Sequence, residues 1–307
     1  MTDSTPLLSV VMANYNGAAH IGEAVRSVLG QTETSLELIV SDDGSDDESL
    51  ASTMTVAGGD SRLVILNHQA RTGPAGARNR ALKAARGRWI AIVDNDDVIE
   101  PERLARLVAS AEGDGADIAA DNLLVFYEGE SRPPHPHLRA ISTTHWVDAA
   151  AYTRSNILLG GGAQLGYLKP IFRRSSMKSA LYDESLTIGE DSDLVLRLLI
   201  AGARMRLYPE LGYRYRKHAN SISHRLNAPA IDALLGALDR LAPEADAPLA
   251  RALERQRGAL LDARAFSELV GALKARDFAA AWRVGVRRPG ALLHLKDPIW
   301  ARLARRS

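Results

Sequence analysis

The sequence predicts an α/β fold, with a mostly parallel central sheet flanked by helices and a helical C-terminal extension. Three observations carry that prediction. Short apolar runs alternate with helical periods from Leu7 to Glu112. Two of those runs, Leu36 to Val40 and Trp89 to Val93, end in clustered acids. Beyond about residue 226 the periodicity is helical, as in Ile231, Leu234, Leu235, Leu238 and Leu241. The chain therefore reads as an α/β domain over 1–225 and a helical extension over 226–307.

Taken in order, Leu7 to Ala13 is a Val- and Leu-rich run of strand length, closed by the turn-forming Asn14 to Gly17. Ile21, Val25, Val28 and Leu29 recur at helical spacing, with Gly30 suited to the helix end. Leu36 to Val40 is a second buried strand and runs into the acidic turn Ser41 to Asp47. Leu63 to Leu66 is a third. A helix over Ala75 to Ala85 carries Arg78, Arg80 and Lys83 and is expected to close at Gly87. The near-continuous apolar run from Trp89 to Val93 reads as a strand buried on both faces, with Trp89 in the core. Pro101 opens the helix Glu102 to Glu112, because a missing N–H costs nothing in the first helical turn. Ile118 to Asp121 is a further strand, and the Pro-rich Arg132 to His137 and Gly160 to Gly162 are loops. Glu190 opens an amphipathic helix that ends at Gly202. Arg204 to Tyr208 and Gly212 to Arg216 then read as two strands leading into Lys217 to His224.

The composition, 46% hydrophobic and 24% charged, is that of an ordinary soluble protein. A net charge of +1 gives no field that would attract nucleic acid. With no cysteine, thiolate chemistry is excluded and a reducing compartment fits. Met1 to Pro6 lacks the features of a signal peptide, and no apolar run approaches the roughly 20 residues of a membrane span, so a cytoplasmic protein is expected. From Arg283 to Ser307 seven basic residues face one acid and alternate with Leu292, Leu293, Leu295, Ile299, Trp300 and Leu303. That pattern fits an interfacial helix on an anionic membrane surface, or an amphipathic helix with a solvated basic face.

The acids carry the chemistry. Asp94, Asp96 and Asp97 stand at the carboxyl end of an interior strand, where open α/β sheets bind their ligands. Crowded carboxylates repel unless a cation or a hydrogen-bond network joins them. A hard divalent ion shared with substrate phosphates is one solution, and an acidic turn capping the next helix is the other. The missing Gly-x-Gly-x-x-Gly after the first strand argues against a dinucleotide-dependent oxidoreductase. The acid pair of a glycoside hydrolase would not explain clustering on one strand end. A nucleotidyltransferase remains open, since it needs acids and a metal but no separate base.

Six segments in order, Ser9 to Asn16, Gln31, Ser41 to Ser45, Gly73 to Asn79, Asp94 to Asp97 and the pair Glu190 and Asp191, resemble family 2 glycosyltransferases of the GT-A fold. Asp121 to Leu123 and Gly166 to Phe172 are similar to bacterial exopolysaccharide enzymes of the succinoglycan type. The resemblance implies that Ala13 to Asn16 line a nucleotide base, with Tyr15 near the uracil. Asp42 would accept the uracil N3 proton, with Asp43 beside it. Arg78 would reach the diphosphate or its neighbouring acids, either of which suits a guanidinium fork. Asp94, Asn95 and Asp96 match the Asp-x-Asp motif, with Asp94 a positioning or ribose-side group and Asp96 the direct metal ligand. His218 matches a late basic motif over the donor phosphates and joins the metal set. Asp191 matches the general base of inverting members. The resemblance further implies Mn²⁺ or Mg²⁺, a UDP-sugar donor (UDP-glucose foremost) and a saccharide or polyprenyl-diphosphate-linked oligosaccharide acceptor. The Arg-rich amphipathic tail suggests, separately from the resemblance, that the C-terminal helices hold the protein at the inner face of the membrane, where such acceptors reside. Trp146 is a candidate acceptor contact, and an inactive nucleotide-sugar-binding module is the non-enzymatic alternative.

Overall fold

A computed structural model describes residues 5–158, 164–218 and 227–295. The chain divides into two compact units, Met1–Tyr152 with Ala163–Ser221, and Thr153–Gly162 with Ile222–Ser307.

The first unit opens as an alternating series: β1 (Leu8–Asn14), α1 (Ile21–Leu29), β2 (Leu36–Asp42), α2 (Ser49–Ala57), β3 (Leu63–Asn67), α3 (Gly73–Ala84) and β4 (Trp89–Ile92). It continues through β5 (Val98–Ile99), α4 (Arg103–Asp114), β6 (Ile118–Tyr127), β7 (His135–Pro136), β8 (His145–Val147) and α5 (Ala149–Ser155). After these come β9 (Ile171–Arg173), α6 (Arg174–Met177), α7 (Glu190–Ile200) and β10 (Met205–Lys217). The sheet order is β3-β2-β1-β4-β9-β6-β10-β5, with β7 beside β6 and β8 beside β10. β1 to β4 are mutually parallel, as are β6 and β10. The short β9 lies between these blocks, antiparallel to both β4 and β6. β2 and β4 are buried along their whole length, which is why their sequences are continuous rather than alternating.

Several expectations change. α2 was not anticipated, because the residues it buries are Ser49 and Thr53 and it has no apolar stripe. The two strands expected over 204–216 are one, β10, interrupted by register shifts between Leu207 and Tyr213. Pro209, which cannot donate to a ladder, sits inside that irregularity. The Pro-rich loop contributes β7, two residues paired with Leu124 and Val125. α3 stops at Ala84, before Gly87. Gly87 instead lets the chain pass against β1, where a Cβ would lie 2.3 Å from the Ser9 nitrogen. Gly160 to Gly162 and residues 219–224 lie outside the described residues.

The second unit contains α8 (Ala228–Leu241), a 3-10 turn over Ala242–Glu244, α9 (Ala247–Lys274), α10 (Phe278–Arg287) and a 3-10 segment over Pro289–Leu295. Asn227, Asp246 and Asp277 cap the three helices by accepting from the backbone nitrogens of Ala230, Leu249 and Ala280 at 3.0, 2.9 and 2.8 Å. Pro248 lies in the first turn of α9, where proline is tolerated. Among the described residues no helix is long and apolar enough to cross a membrane. Ile299, Trp300 and Leu303 lie outside the described residues.

Candidate active site

The parallel strands β1, β2 and β4 deliver their carboxyl ends to one edge, and Asn14 ties them together. Its Nδ2 donates to Asp42 Oδ1 at 2.7 Å and to Ser45 Oγ at 3.1 Å, while its Oδ1 accepts from Asn95 Nδ2 at 2.7 Å. Asp42 is fully buried, and its second oxygen accepts from the Ser45 nitrogen at 3.0 Å. Asp43 holds the amino end of α3, accepting from Thr72 N at 2.9 Å, Gly73 N at 2.7 Å and Arg80 Nη2 at 2.7 Å. Burial would raise its pKa, but the Arg80, Thr72 and Gly73 donors outweigh that and lower it. Ala13 is half-buried, and Tyr15 is the accessible side chain of this edge, 41% exposed with the Arg71 guanidinium 3.9 Å above its ring.

Beside this hub lies a compact charged centre. Arg78, on α3, donates to Asp94 Oδ1 and Glu190 Oε1, each at 2.8 Å, and lies 3.7 Å from Asp191 Oδ1. Lys169, just before β9, places its Nζ 2.8 Å from both Asp94 Oδ2 and Asp191 Oδ2. Glu190 and Asp191 occupy the first turn of α7, where the helix dipole favours negative charge. Burial pushes Asp191 up, but Arg78 and Lys169 pull harder and hold it below the ordinary carboxylate range. The same balance, led among its partners by Lys169, lowers Asp94 strongly. Glu190 moves the other way, raised by burial and by its neighbour Asp191. Of the pair, Asp191 is the acid held lower, by Arg78 and Lys169.

The Asp-x-Asp acids are inequivalent. Oxygens of Asp94, Asp96 and Asp97 lie within 4.8 Å of one another. Asp97 is fully buried and accepts from Tyr213 Oη at 2.8 Å and the Arg216 nitrogen at 2.7 Å. Burial and the adjacent Asp96 and Asp94 push its pKa well up, and both its oxygens are already taken by Tyr213 and Arg216. Asp94 is committed to Arg78 and Lys169. That leaves Asp96, whose Oδ2 lies 3.0 Å from His218 Nε2. One accessible carboxylate and one imidazole fit a hard divalent ion that takes its remaining ligands from phosphate or water oxygens.

Sequence reasoning missed Lys169, Tyr213, Arg216 and the fully buried pair Arg103 and Asp121, joined at 2.8 Å. Two signals were present: Asp121 and Lys169 each fall in a segment singled out as typical of succinoglycan enzymes. Trp146 goes elsewhere. It sits on β8 beside Arg206, at the amino end of β10 and so at the opposite end of that strand from His218.

A sequence model of the family described as Glycosyl transferase family 2 matches residues 9–176. The succinoglycan biosynthesis protein ExoO of Rhizobium meliloti (strain 1021) is 38% identical over 317 aligned residues, covering 99% of this chain and 88% of the relative. Among solved structures, S. aureus TarS 1-349 in complex with UDP-GlcNAc superposes with a TM-score of 0.67 at 20% identity, covering 92% of both chains. The mannosyltransferase PcManGT from Pyrobaculum calidifontis, in complex with GDP-Man and Mn²⁺, gives 0.60 at 18% identity, covering 96% of this chain and 82% of that one. These likenesses show a GT-A-type fold. With the family match spanning more than half the sequence and ExoO aligned almost end to end, the chain belongs to glycosyltransferase family 2 and is similar to succinoglycan biosynthesis proteins.

Proposed function

We propose that the chain is an inverting, metal-dependent glycosyltransferase. It moves a hexose, in the narrowest form glucose from UDP-glucose, onto a lipid-linked oligosaccharide or polysaccharide acceptor in bacterial exopolysaccharide biosynthesis. The observation that carries this reading is the meeting of Asp94 and Asp191 on the shared cations Lys169 and Arg78. A donor-side acid and an ionised candidate base stand together at the carboxyl edge of the sheet. The names and titles of ExoO, TarS and PcManGT support the pathway, the UDP-sugar and the metal in that order.

The base is recognised along Ala13, Tyr15, Asp42 and Asp43, while Asn95 holds the hub in place. An acceptor hydroxyl gives its proton to Asp191 while its oxygen attacks the anomeric carbon. The bond from that carbon to the diphosphate oxygen breaks, and its electron pair leaves with the diphosphate. Attack opposite the leaving group turns an α-linked donor into a β-glycoside. Asp96 and His218 would hold a divalent ion, and its charge would offset that of the departing diphosphate.

UDP release from a panel of UDP-sugars, with Mn²⁺ or with chelator, tests this for wild type and Asp191→Asn. Metal-dependent release from one sugar is expected, falling on the order of 100-fold or more in Asp191→Asn while UDP binding persists. Equal release by the variant sinks the base assignment. Binding of UDP without cleavage of any donor, even with membrane extract as acceptor source, makes the chain a binding module.

The helical unit supports peripheral contact with an anionic membrane. Phe278, Trp282 and Val286, four residues apart on α10, are 68%, 75% and 63% exposed. Arg276, Arg283, Arg287 and Arg288 surround them and complement acidic headgroups. Replacing Phe278 and Trp282 together by Ser is expected to abolish sedimentation with phosphatidylglycerol vesicles and leave UDP binding intact. Undiminished sedimentation rules this surface out.

A further inference from the structure

We propose that Lys169 is a positioning residue for sugar transfer: its ammonium group fixes the Asp191 carboxylate in register with the donor-side Asp94. The proposal rests on Asp191 being the base.

Lysine is rarely buried without partners, and Lys169 is only 6% exposed. Its Nζ meets Asp94 Oδ2 and Asp191 Oδ2 at 2.8 Å each, so one group touches both acids. Arg78 does not duplicate this. Its 2.8 Å bonds go to Asp94 and Glu190, and its nearest nitrogen is 3.7 Å from Asp191. Lys169 is therefore the side chain that hydrogen-bonds and orients the base. It occupies Oδ2 and leaves Oδ1 to accept the hydroxyl proton.

The backbone of Lys169 is anchored as firmly as its side chain. Its carbonyl accepts from Arg103 Nη2. Arg103 is fully buried, contacts both oxygens of Asp121 at 3.1 Å through Nε, and lies with its guanidinium 4.9 Å from the Tyr213 ring centroid. Gly212 makes room for this pair, since a Cβ there would stand 2.2 Å from Asp121 Oδ2. Two residues further on the chain enters β9, locked between β4 and β6. A cation that merely offset negative charge would not need a desolvated ion pair beneath its carbonyl, because burying such a pair is itself costly. A cation that must hold a carboxylate to within a fraction of an ångström does need a rigid support.

The test compares full-length wild type, Lys169→Ala, Lys169→Arg and Asp191→Asn by UDP release from the cleaved UDP-sugar, with and without ethylammonium chloride. Folding is checked by circular dichroism. Lys169→Ala is expected to lose on the order of 100-fold in kcat, the scale set by misplacing a reacting group by about 1 Å. The donor KM should change far less. Partial recovery by ethylammonium, or by Lys169→Arg, supports positioning. An unchanged kcat, or a loss that neither recovers, overturns it. If Lys169→Ala does not fold, Lys169→Met, which keeps the stem, takes its place. Full activity of Asp191→Asn refutes the base assignment itself, whereas an inactive Asp191→Asn beside an active Lys169→Ala refutes only the role of Lys169.

Discussion

Arg78 is the residue on which the charge balance of the site turns. It is the cation shared by Asp94, Glu190 and Asp191, and its side chain is 7% exposed. Arg78→Met would leave three half-buried acids with Lys169, which reaches only Asp94 and Asp191. Loss of one partner from a buried charge cluster costs about 3–5 kcal/mol. The expected outcome is a fall of that size in unfolding free energy by urea titration, with little dependence on salt because the cluster is poorly screened. Arg78 was legible because it lies at a fixed offset from a Gly-rich helix start. Lys169 was not. Its partners are Asp94 and Asp191, 75 and 22 positions away, and no local spacing relates them.

Among the elements, the junctions β1–β2 and β2–α3 are held by carboxylates whose pKa is lowered on folding. Glu37, on β2, accepts from Ser9 Oγ at 2.6 Å and from the Arg86 nitrogen at 2.8 Å. Asp43 accepts from Thr72, Gly73 and Arg80. Burial raises both groups, but Ser9 and Arg86 in one case, and Arg80, Thr72 and Gly73 in the other, outweigh it. A lowered folded pKa stabilises above the unfolded value, about 4 for these side chains, and the gain is lost as pH falls through the folded value. Thermal stability should therefore drop steeply below about pH 4. Glu37→Gln combined with Asp43→Asn should lower the melting temperature at neutral pH and flatten that acid slope. The strands feeding these junctions were readable because β2 and β4 are apolar on both faces. β9 was not, since three residues carry no period, and β10 read as two strands because Pro209 and its neighbours break the pattern.

At the scale of the whole molecule, every candidate site residue falls within the first unit, Met1–Tyr152 with Ala163–Ser221. The proposed metal pair, Asp96 and His218, is drawn from positions 122 residues apart in the sequence. Chelation should weaken UDP binding to wild type by calorimetry, with Mn²⁺ restoring it. Asp96→Asn should bind UDP equally weakly with or without the ion. If the variant still responds to metal, the ion is held elsewhere. The placement of β9 also bears on the order in which the molecule can be made. A ribosome that has extruded residues up to β4 has released β3-β2-β1-β4, a half-sheet whose β4 edge, Trp89 to Ala91, is still open. That edge stays unpaired until Ile171 emerges, some 80 residues later. At the elongation rates of living cells, about 5–20 residues per second, the wait lasts several seconds. Through that interval Arg78 and Asp94 lack the lysine and the helix that complete their cluster. The candidate site is thus incomplete until α7 has followed β9, and the nascent half-sheet is the species a chaperone would meet.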